Sequence, residues 1–405
     1  MLLNIQNTLK RQLLGAMNNN TLIIASAGSG KTSHLVEGAL RKSTESVLIT
    51  TYTEANEREI RNKIVSKKGY VPSNITIQTW FSFLLQHGVR PYQSVLNDEL
   101  HDVDIGFLLS NSRSGKKYDS EGNPISIGGR PIYWGEKDFF RYYFTKGKDI
   151  YSDKVSKFVC KVDQELKGEL ISRVSRIYKN IYIDEVQDLA GFDLDIIKSL
   201  FKSKSSVMLV GDPRQVTYLT HHTTKYGKYS EGNIKSFVEN ELGKRIKCEV
   251  DETTLSVSHR NNQIICDYSS RLYSNLPKST ACKCGACRVM DDHMGVFIVK
   301  PSMVGKYLET YRPIQLRWDN RITVNSNYPA MNFGESKGTT SNRVLIYPTR
   351  PMANWIKDNN AVLSSEGRAK LYVALTRARL SATIVLDYEE GDMFEGKRIN
   401  NYIIA

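Results

Sequence analysis

The stretch LIIASAGSGKTSH, Leu22 to His34, ends as a phosphate-binding loop does. Ala27, Gly28, Ser29 and Gly30 are small enough for backbone N–H groups to close on a phosphate. Lys31, Thr32 and Ser33 open a helical pattern, TSHLVEGALRK, whose N-terminal dipole favours an anion. Lys31 is placed to reach β- and γ-phosphates, and Thr32 to ligate Mg²⁺. The loop begins with alanine where glycine is usual. Kinases, switches and motors all carry such a loop, so the reaction has to be read further along.

The next candidate is IYIDEVQDL, where an apolar run ends in Asp184 and Glu185. One carboxylate there suits a metal and the next suits water: Asp184 for Mg²⁺, Glu185 as the base that orients the nucleophile. A kinase needs a pocket for a second substrate, whereas an adjacent glutamate suits hydrolysis. In LVGDPRQVTY, Gln215 is a candidate to hydrogen-bond a γ-phosphate or the attacking water, although Asp-Pro turns are common.

The elements that must hold these residues are short buried strands. TLIIA (21–25), VLITTY (47–52), IYID (181–184) and VMLVGD (207–212) form one set, and GVFIVK (295–300), RVLIYP (343–348) and SATIVLDY (381–388) a second. Buried strands separated by helices predict parallel sheets covered on both faces, hence an α/β fold with two units. The break falls after GDPRQVTY. Residues 88–175 turn polar and aromatic and read as an insertion on the first unit. Their interleaved rings and basic residues make either a stacking surface for a single strand or a small core of their own.

The 405 residues carry a net charge of +13, which favours a polyanionic partner or is simply a basic solvated surface. No apolar run approaches the ~20 residues that span a bilayer. The amphipathic start, MLLNIQNTLKRQLL, lacks a small-residue cleavage site, so a cytoplasmic protein without membrane contact is expected. Cys160, Cys248 and Cys266 are scattered, while Cys282, Cys284 and Cys287 are bunched near His293. Those four could hold zinc, or form a loop with free thiols; the spacing is not the paired C-x2-C layout of common structural sites.

Taken in order, ASAGSGKT, TTYTEANEREIRNKI, TIQTWFSFLL, YIDEVQDL, GDPRQVTY, LSVSHRNNQII, FGESKGTTSNRVLIYP and KLYVALTRARLSA resemble the UvrD/Rep/PcrA group of superfamily 1 helicases. In that group the alanine at the start of the loop is usual. The resemblance implies two RecA-like P-loop NTPase domains with parallel sheets and ATP between them. Here they would be residues 1–87 with 176–232, carrying the 88–175 insertion, and residues 233–405 with a truncated insertion around 270–330. It also implies that Arg260 and Arg377 reach the γ-phosphate from the second domain, beside Lys31, Glu185 and Gln215 from the first. Gln12, or alternatively Gln6, would read adenine, and His259 stands where a tyrosine stacks on it. Thr51, Tyr52 and Thr53, with Thr79, Trp80 and Phe81, match blocks that contact the DNA strand. Core packing is the competing reading for Tyr52 and Trp80. Lys337 matches a further block, grouped here with the DNA contacts, that lines the interdomain cleft.

Departures from the group matter too. Leu219-Thr220-His221 stand where a tryptophan and an arginine clamp DNA. Thr340 replaces a ribose-contacting glutamate, and TEA replaces TNK at Thr53–Ala55. The span from Arg260 to Lys337 is too short for the large helical subdomain of full-size relatives. The resemblance thus implies an ATP- and Mg²⁺-dependent motor of 3′-to-5′ polarity on single-stranded DNA, at forks or duplex ends. The alternative is a DNA- or partner-sensing ATPase that gates a nuclease or other effector in repair or antiviral defence.

Overall fold

The computed structural model describes residues 20–110, 112–217, 225–243, 246–287 and 291–389, and the backbone of 399–401. Two six-stranded, wholly parallel sheets form the frame. The first contains β1 (Asn20–Ile24), β2 (Val47–Thr51), β3 (Ile75–Thr79), β4 (Asn180–Ile183), β5 (Ser206–Gly211) and β6 (Cys248–Asp251). Their order is β6-β1-β5-β4-β2-β3. A short parallel pair, β7 (Val257–Ser258) and β8 (Thr280–Ala281), follows. The second sheet contains β9 (Gly295–Val299), β10 (Ile314–Arg317), β11 (Ala330–Asn332), β12 (Ser341–Ile346), β13 (Ala378–Val385) and β14 (Ile399–Asn401), in the order β11-β10-β12-β13-β9-β14.

Strand alternation explains why both faces are apolar. On β1, Leu22 and Ile24 enter one core while Ile23 enters the other. Helices α1 (Lys31–Leu40) and α2 (Glu54–Lys68) cover the second of these with Leu35, Val36, Ala39, Ile60 and Ile64. Thr53 starts α2 by accepting from the Asn56 N–H at 3.2 Å, and Gly69 ends it at φ 82°. The opposite face is covered by α3 (Ser152–Glu165), α4 (Glu169–Ile177), α5 (Phe192–Lys202) and α6 (Ile234–Glu241). Around the second sheet lie α7 (Gln263–Ser270), α8 (Val304–Tyr311), α9 (Arg350–Lys357) and α10 (Ser365–Thr376). Among the described residues no helix is long and apolar enough to cross a membrane.

Three expectations about organisation are corrected. The first unit does not end at 232: β6 adds to the edge of β1, pairing Asn20 with Cys248 through Ile23 with Asp251, and Ile234, Phe237 and Val238 of α6 join the first core. An edge strand reading CEVD has no continuous apolar run, so the pattern of the buried strands missed it. Nor is 88–175 wholly an insertion. Val155, Phe158, Val159 and Val162 make a helical stripe that packs into the first core. In the remaining part Phe139 lies 5.2 Å from Tyr143 and 6.4 Å from Phe158, ring centre to ring centre, so these rings pack as an extension of the first core instead of a core of their own. Finally, 270–330 is not only an insertion: it supplies β9, β10 and the start of β11 to the second sheet.

Candidate active site

The loop that follows β1, the carboxylates that follow β4 and the turn that follows β5 emerge from one edge of the first sheet. The register makes this so: Ile24 lies beside Gly211, and Ile183 beside Leu209. Ligands of open parallel sheets bind outside such carboxyl ends. A cavity of about 390 Å³ opens there. Gly28, Ser29, Gly30, Lys31, Thr32, Asp184, Glu185 and Gln215 line it from the first unit. His259, Arg260, Gly338, Thr340, Arg377 and Arg379 line it from the other side. Ala27 is buried just behind it, and Ser33 lies one residue beyond it on α1.

Charge is concentrated and largely shielded from water. Lys31 Nζ stands 3.7 Å from Glu185 Oε1, and Lys337 Nζ stands 3.6 Å from Glu185 Oε2 and 2.6 Å from Asp188 Oδ2. Burial would raise Glu185, but Lys31 and Lys337 outweigh it and hold the carboxylate ionised, below its ordinary range. Its neighbour Asp184 goes the other way, raised by burial and then by the Glu185 charge. Burial also pushes Asp188 up to about 6, against Lys337. Glu185 itself sits at φ 54°, a left-handed conformation that costs a non-glycine residue about 1–3 kcal/mol and is common at functional sites.

The arginines are held by backbone carbonyls. Arg377 donates from Nε to Val373 O at 3.1 Å and from Nη1 to Thr339 O at 3.3 Å, and its Nη2 reaches Gln215 Oε1 at 3.3 Å. Burial, and next the charge of Arg260, lower it to about 9, so it stays a cation at neutral pH. Arg260 donates to Thr376 O at 3.2 Å, at the C-terminal end of α10 where the helix dipole favours a cation. Gln215 is fixed in turn by Asp212, to which its amide donates at 2.7 Å.

The two sides touch at the phosphate loop itself. His259 N–H donates to Gly28 O at 2.8 Å, and Ser258 Oγ donates to Ala27 O at 2.8 Å. Tyr372, fully buried on α10, accepts from the Ala27 N–H at 3.4 Å. Gly28 (φ 71°) allows this approach, since a Cβ there would lie 2.6 Å from Arg260 Cβ.

The structure divides the expected DNA contacts. Trp80 is 1% exposed and donates from Nε1 to Asp193 Oδ1 at 2.7 Å, so it is a core residue, as its competing reading had it. Phe81 is buried between Tyr52 and Phe107, and Thr51 is buried. Thr79 caps the short helix Trp80–Leu84 by accepting from Ser82 N–H at 3.1 Å. Lys337 is turned inward onto Asp188 and Glu185, which makes it a bridge between the two units instead of a strand contact. Tyr52 is half-buried and lines a second cavity of about 990 Å³, while Thr53 is exposed at the start of α2. Gln12, Gln6 and Leu219-Thr220-His221 lie outside the described residues.

Several residues of the site were missed from the sequence. Asn56, Glu59 and Lys63 line the cavity from α2, and their spacing is that of one helix face, a signal available in NEREIRNK. Arg379 follows Arg377 by two residues at the start of β13. Tyr372 and Ser258 gave no such signal, because their partners are backbone atoms far away in sequence.

Comparison with known proteins agrees with this geometry. Residues 11–221 match the AAA_19 family model, described as an AAA domain. A curated relative, an ATP-dependent helicase/nuclease subunit of Pediococcus pentosaceus, is 37% identical over 84 residues, covering 19% of this chain. The chain spans only 7% of that protein. Solved structures matched over 91% of this chain include the PRRSV helicase (13% identity, TM-score 0.41, 52% of that chain). Another is the Arterivirus nonstructural protein 10 helicase in complex with DNA (14% identity, TM-score 0.43, 61% of that chain). With its phosphate loop, paired carboxylates and opposed arginines in one cavity, the chain belongs to the AAA domain family.

Proposed function

We propose that this protein couples ATP hydrolysis to movement along single-stranded DNA with 3′-to-5′ polarity, as a cytoplasmic motor of two RecA-like domains. One observation carries the reading: Lys31, Asp184, Glu185 and Gln215 from one sheet face Arg260 and Arg377 from the other across a single cavity. Cations on the far wall stabilise charge that develops on a transferred phosphoryl group, and they make closure of the cleft depend on the nucleotide.

The donor set fits a magnesium nucleotide. Thr32 and Asp184 offer the hard oxygen ligands that Mg²⁺ prefers, and Ser29 Oγ is buried with no hydrogen-bond partner among the described residues. Mg²⁺ held there would neutralise phosphate charge. Lys31 adds a second cation beside it. Glu185, kept ionised, orients and deprotonates the water, and Gln215 holds that water against Arg377. His259 offers a ring to the base at the rim. For the strand, the larger cavity supports a path past Tyr52, Thr217, Tyr273 and Arg368, between the two units. Its ring and hydroxyl groups suit sequence-blind binding, although its wall is mixed in charge.

A second reading makes the chain an ATPase switch that gates a nuclease in repair or antiviral defence. Similarity to a helicase/nuclease subunit and the short span between Arg260 and Lys337 favour it.

Steady-state ATP hydrolysis without nucleic acid, and with single-stranded DNA, duplex DNA or single-stranded RNA at two salt concentrations, separates the two. Stimulation by single-stranded DNA that fades with salt is the expected result. A flat response would sink the motor in favour of the switch. Lys31→Ala or Glu185→Gln abolishes turnover on either reading, and normal turnover in either variant would overturn the site.

A further inference from the structure

We propose that Cys282, Cys284, Cys287 and His259 form a zinc site that fastens the Arg260 segment over the phosphate loop. The sequence had offered His293 as the fourth ligand. The fold removes it: His293 is buried, stacked 4.0 Å from the Phe297 ring and 4.2 Å from the Tyr311 ring, with Nε2 on Tyr307 Oη at 3.0 Å. His259 takes its place, because the β7–β8 ladder sets Ser258 beside Ala281 and draws the Cys282 N–H onto Ser258 O at 2.8 Å. The residue after Ser258 and the residue after Ala281 therefore meet.

The donor atoms are spaced for a small ion. A nitrogen of His259 and the sulfurs of Cys282 and Cys287 lie within 4.8 Å of one another. His259 Nδ1 is 3.5 Å from Cys287 Sγ. In a tetrahedron with Zn–S of about 2.3 Å and Zn–N of about 2.0 Å, that edge is about 3.5 Å. Cys284, which lies outside that close group, is the fourth donor this proposal assigns. Its backbone carbonyl accepts from the Cys287 N–H at 3.2 Å, closing a tight Cys-Gly-Ala-Cys turn that carries both sulfurs. No disulfide competes, as all three cysteines are free. Three soft thiolates and one imidazole favour zinc over Mg²⁺ or Ca²⁺, and each thiol that binds releases its proton to solvent.

The consequence follows from the chain path. His259 N–H is bonded to Gly28 O, and Arg260 is the next residue. A metal on the imidazole holds both in place, at the edge of the nucleotide cavity. This consequence rests on the proposed ATPase reading, but the metal site does not.

The intact protein, purified under reducing conditions without added metal or chelator, is assayed for bound metal by plasma mass spectrometry. After chelation it is titrated with Co²⁺. About one zinc per chain is expected, together with thiolate-to-cobalt charge-transfer bands and tetrahedral d–d bands. Cys282→Ser and Cys287→Ser lose the metal, whereas Cys160→Ser, outside the cluster, keeps it. A metal-free wild type that gives no cobalt spectrum, or a disulfide among the three cysteines in the isolated protein, would overturn the site whatever the ATPase does. Hydrogen exchange of the His259 amide, faster after chelation, reports the fastening; an unchanged rate would refute that part.

Discussion

Replacing Gly28 with alanine tests whether the approach of the second unit to the phosphate loop sets the rate of hydrolysis. The added Cβ would lie 2.6 Å from Arg260 Cβ and 2.8 Å from Ser258 Oγ. Carbon atoms settle at about 3.5–4.0 Å, so the Arg260 segment has to retreat by about 1 Å. Hydrogen bonds from Ser258 to Ala27 O and from His259 to Gly28 O, each 2.8 Å now, stretch with it. A misplacement of about 1 Å costs a reaction roughly 100-fold. We therefore expect kcat to fall about 100-fold, with nucleotide affinity changed far less because Lys31 and the loop amides stay in place. The backbone is strained as well: φ is 71° at this position, and a left-handed residue other than glycine costs about 1–2 kcal/mol. Gly30→Ala separates the two effects, since its φ is 85° and its Cβ would meet nothing within 4 Å. Gly30→Ala should lose a few degrees of Tm through backbone strain alone, and Gly28→Ala should lose more through the clash and the two stretched hydrogen bonds. Steady-state kcat and KM, nucleotide binding and Tm are the assays. A Gly28→Ala protein with wild-type kcat would refute the argument.

The remaining predictions concern the strand path, the bridge and acid stability. Tyr52→Ala should weaken single-stranded DNA binding by the ~1–3 kcal/mol of one base stack, measured by anisotropy, without changing basal ATPase. Trp80→Ala should instead lower folding stability by about 3–5 kcal/mol, and a folded, stable variant defective only in DNA binding would contradict its burial. Lys337→Met strands Asp188 and Glu185 without their shared cation, at a cost of about 3–5 kcal/mol. Loss of that cation raises both carboxylates, so the deficit is largest at neutral pH and shrinks as pH falls toward protonation of Asp188, already near 6 in the intact protein. A deficit that grows on acidification would count against the bridge. Burial, then a nearby arginine (Arg173 for His87, Arg343 for His293), depresses both histidines from 6.5 to about 4. Each binds a proton more readily unfolded than folded, so this stability is complete above about pH 6.5 and is lost as pH drops to about 4. His293→Phe, placed between Phe297 and Tyr311, should flatten part of that acid limb in a series of thermal melts.

The sequence by itself determined the chemistry-bearing turns and the buried strands that lead into them. Phosphate loops and strand-end carboxylates are local: adjacent residues set them, so AGSGKT and IDEVQD read the same in isolation as in the fold. The continuous apolar runs of β1, β2, β4 and β5 are equally local, because a strand covered on both faces has no polar position to confuse the pattern. Edge strands were hidden for the converse reason, as CEVD and ITIQT carry polar residues where only one neighbour is present. Tertiary structure alone decided which side chains turn inward. Trp80 and Lys337 have residue types that suit DNA, yet Asp193 and Asp188, each more than a hundred residues away in sequence, claim them. It also exchanged His293 for His259 beside the cysteines, because a two-residue ladder, not sequence distance, sets what the thiols can reach. Hydrogen bonds, ion pairs and ligand spheres are short-ranged, and only a closed chain path brings such partners within their reach.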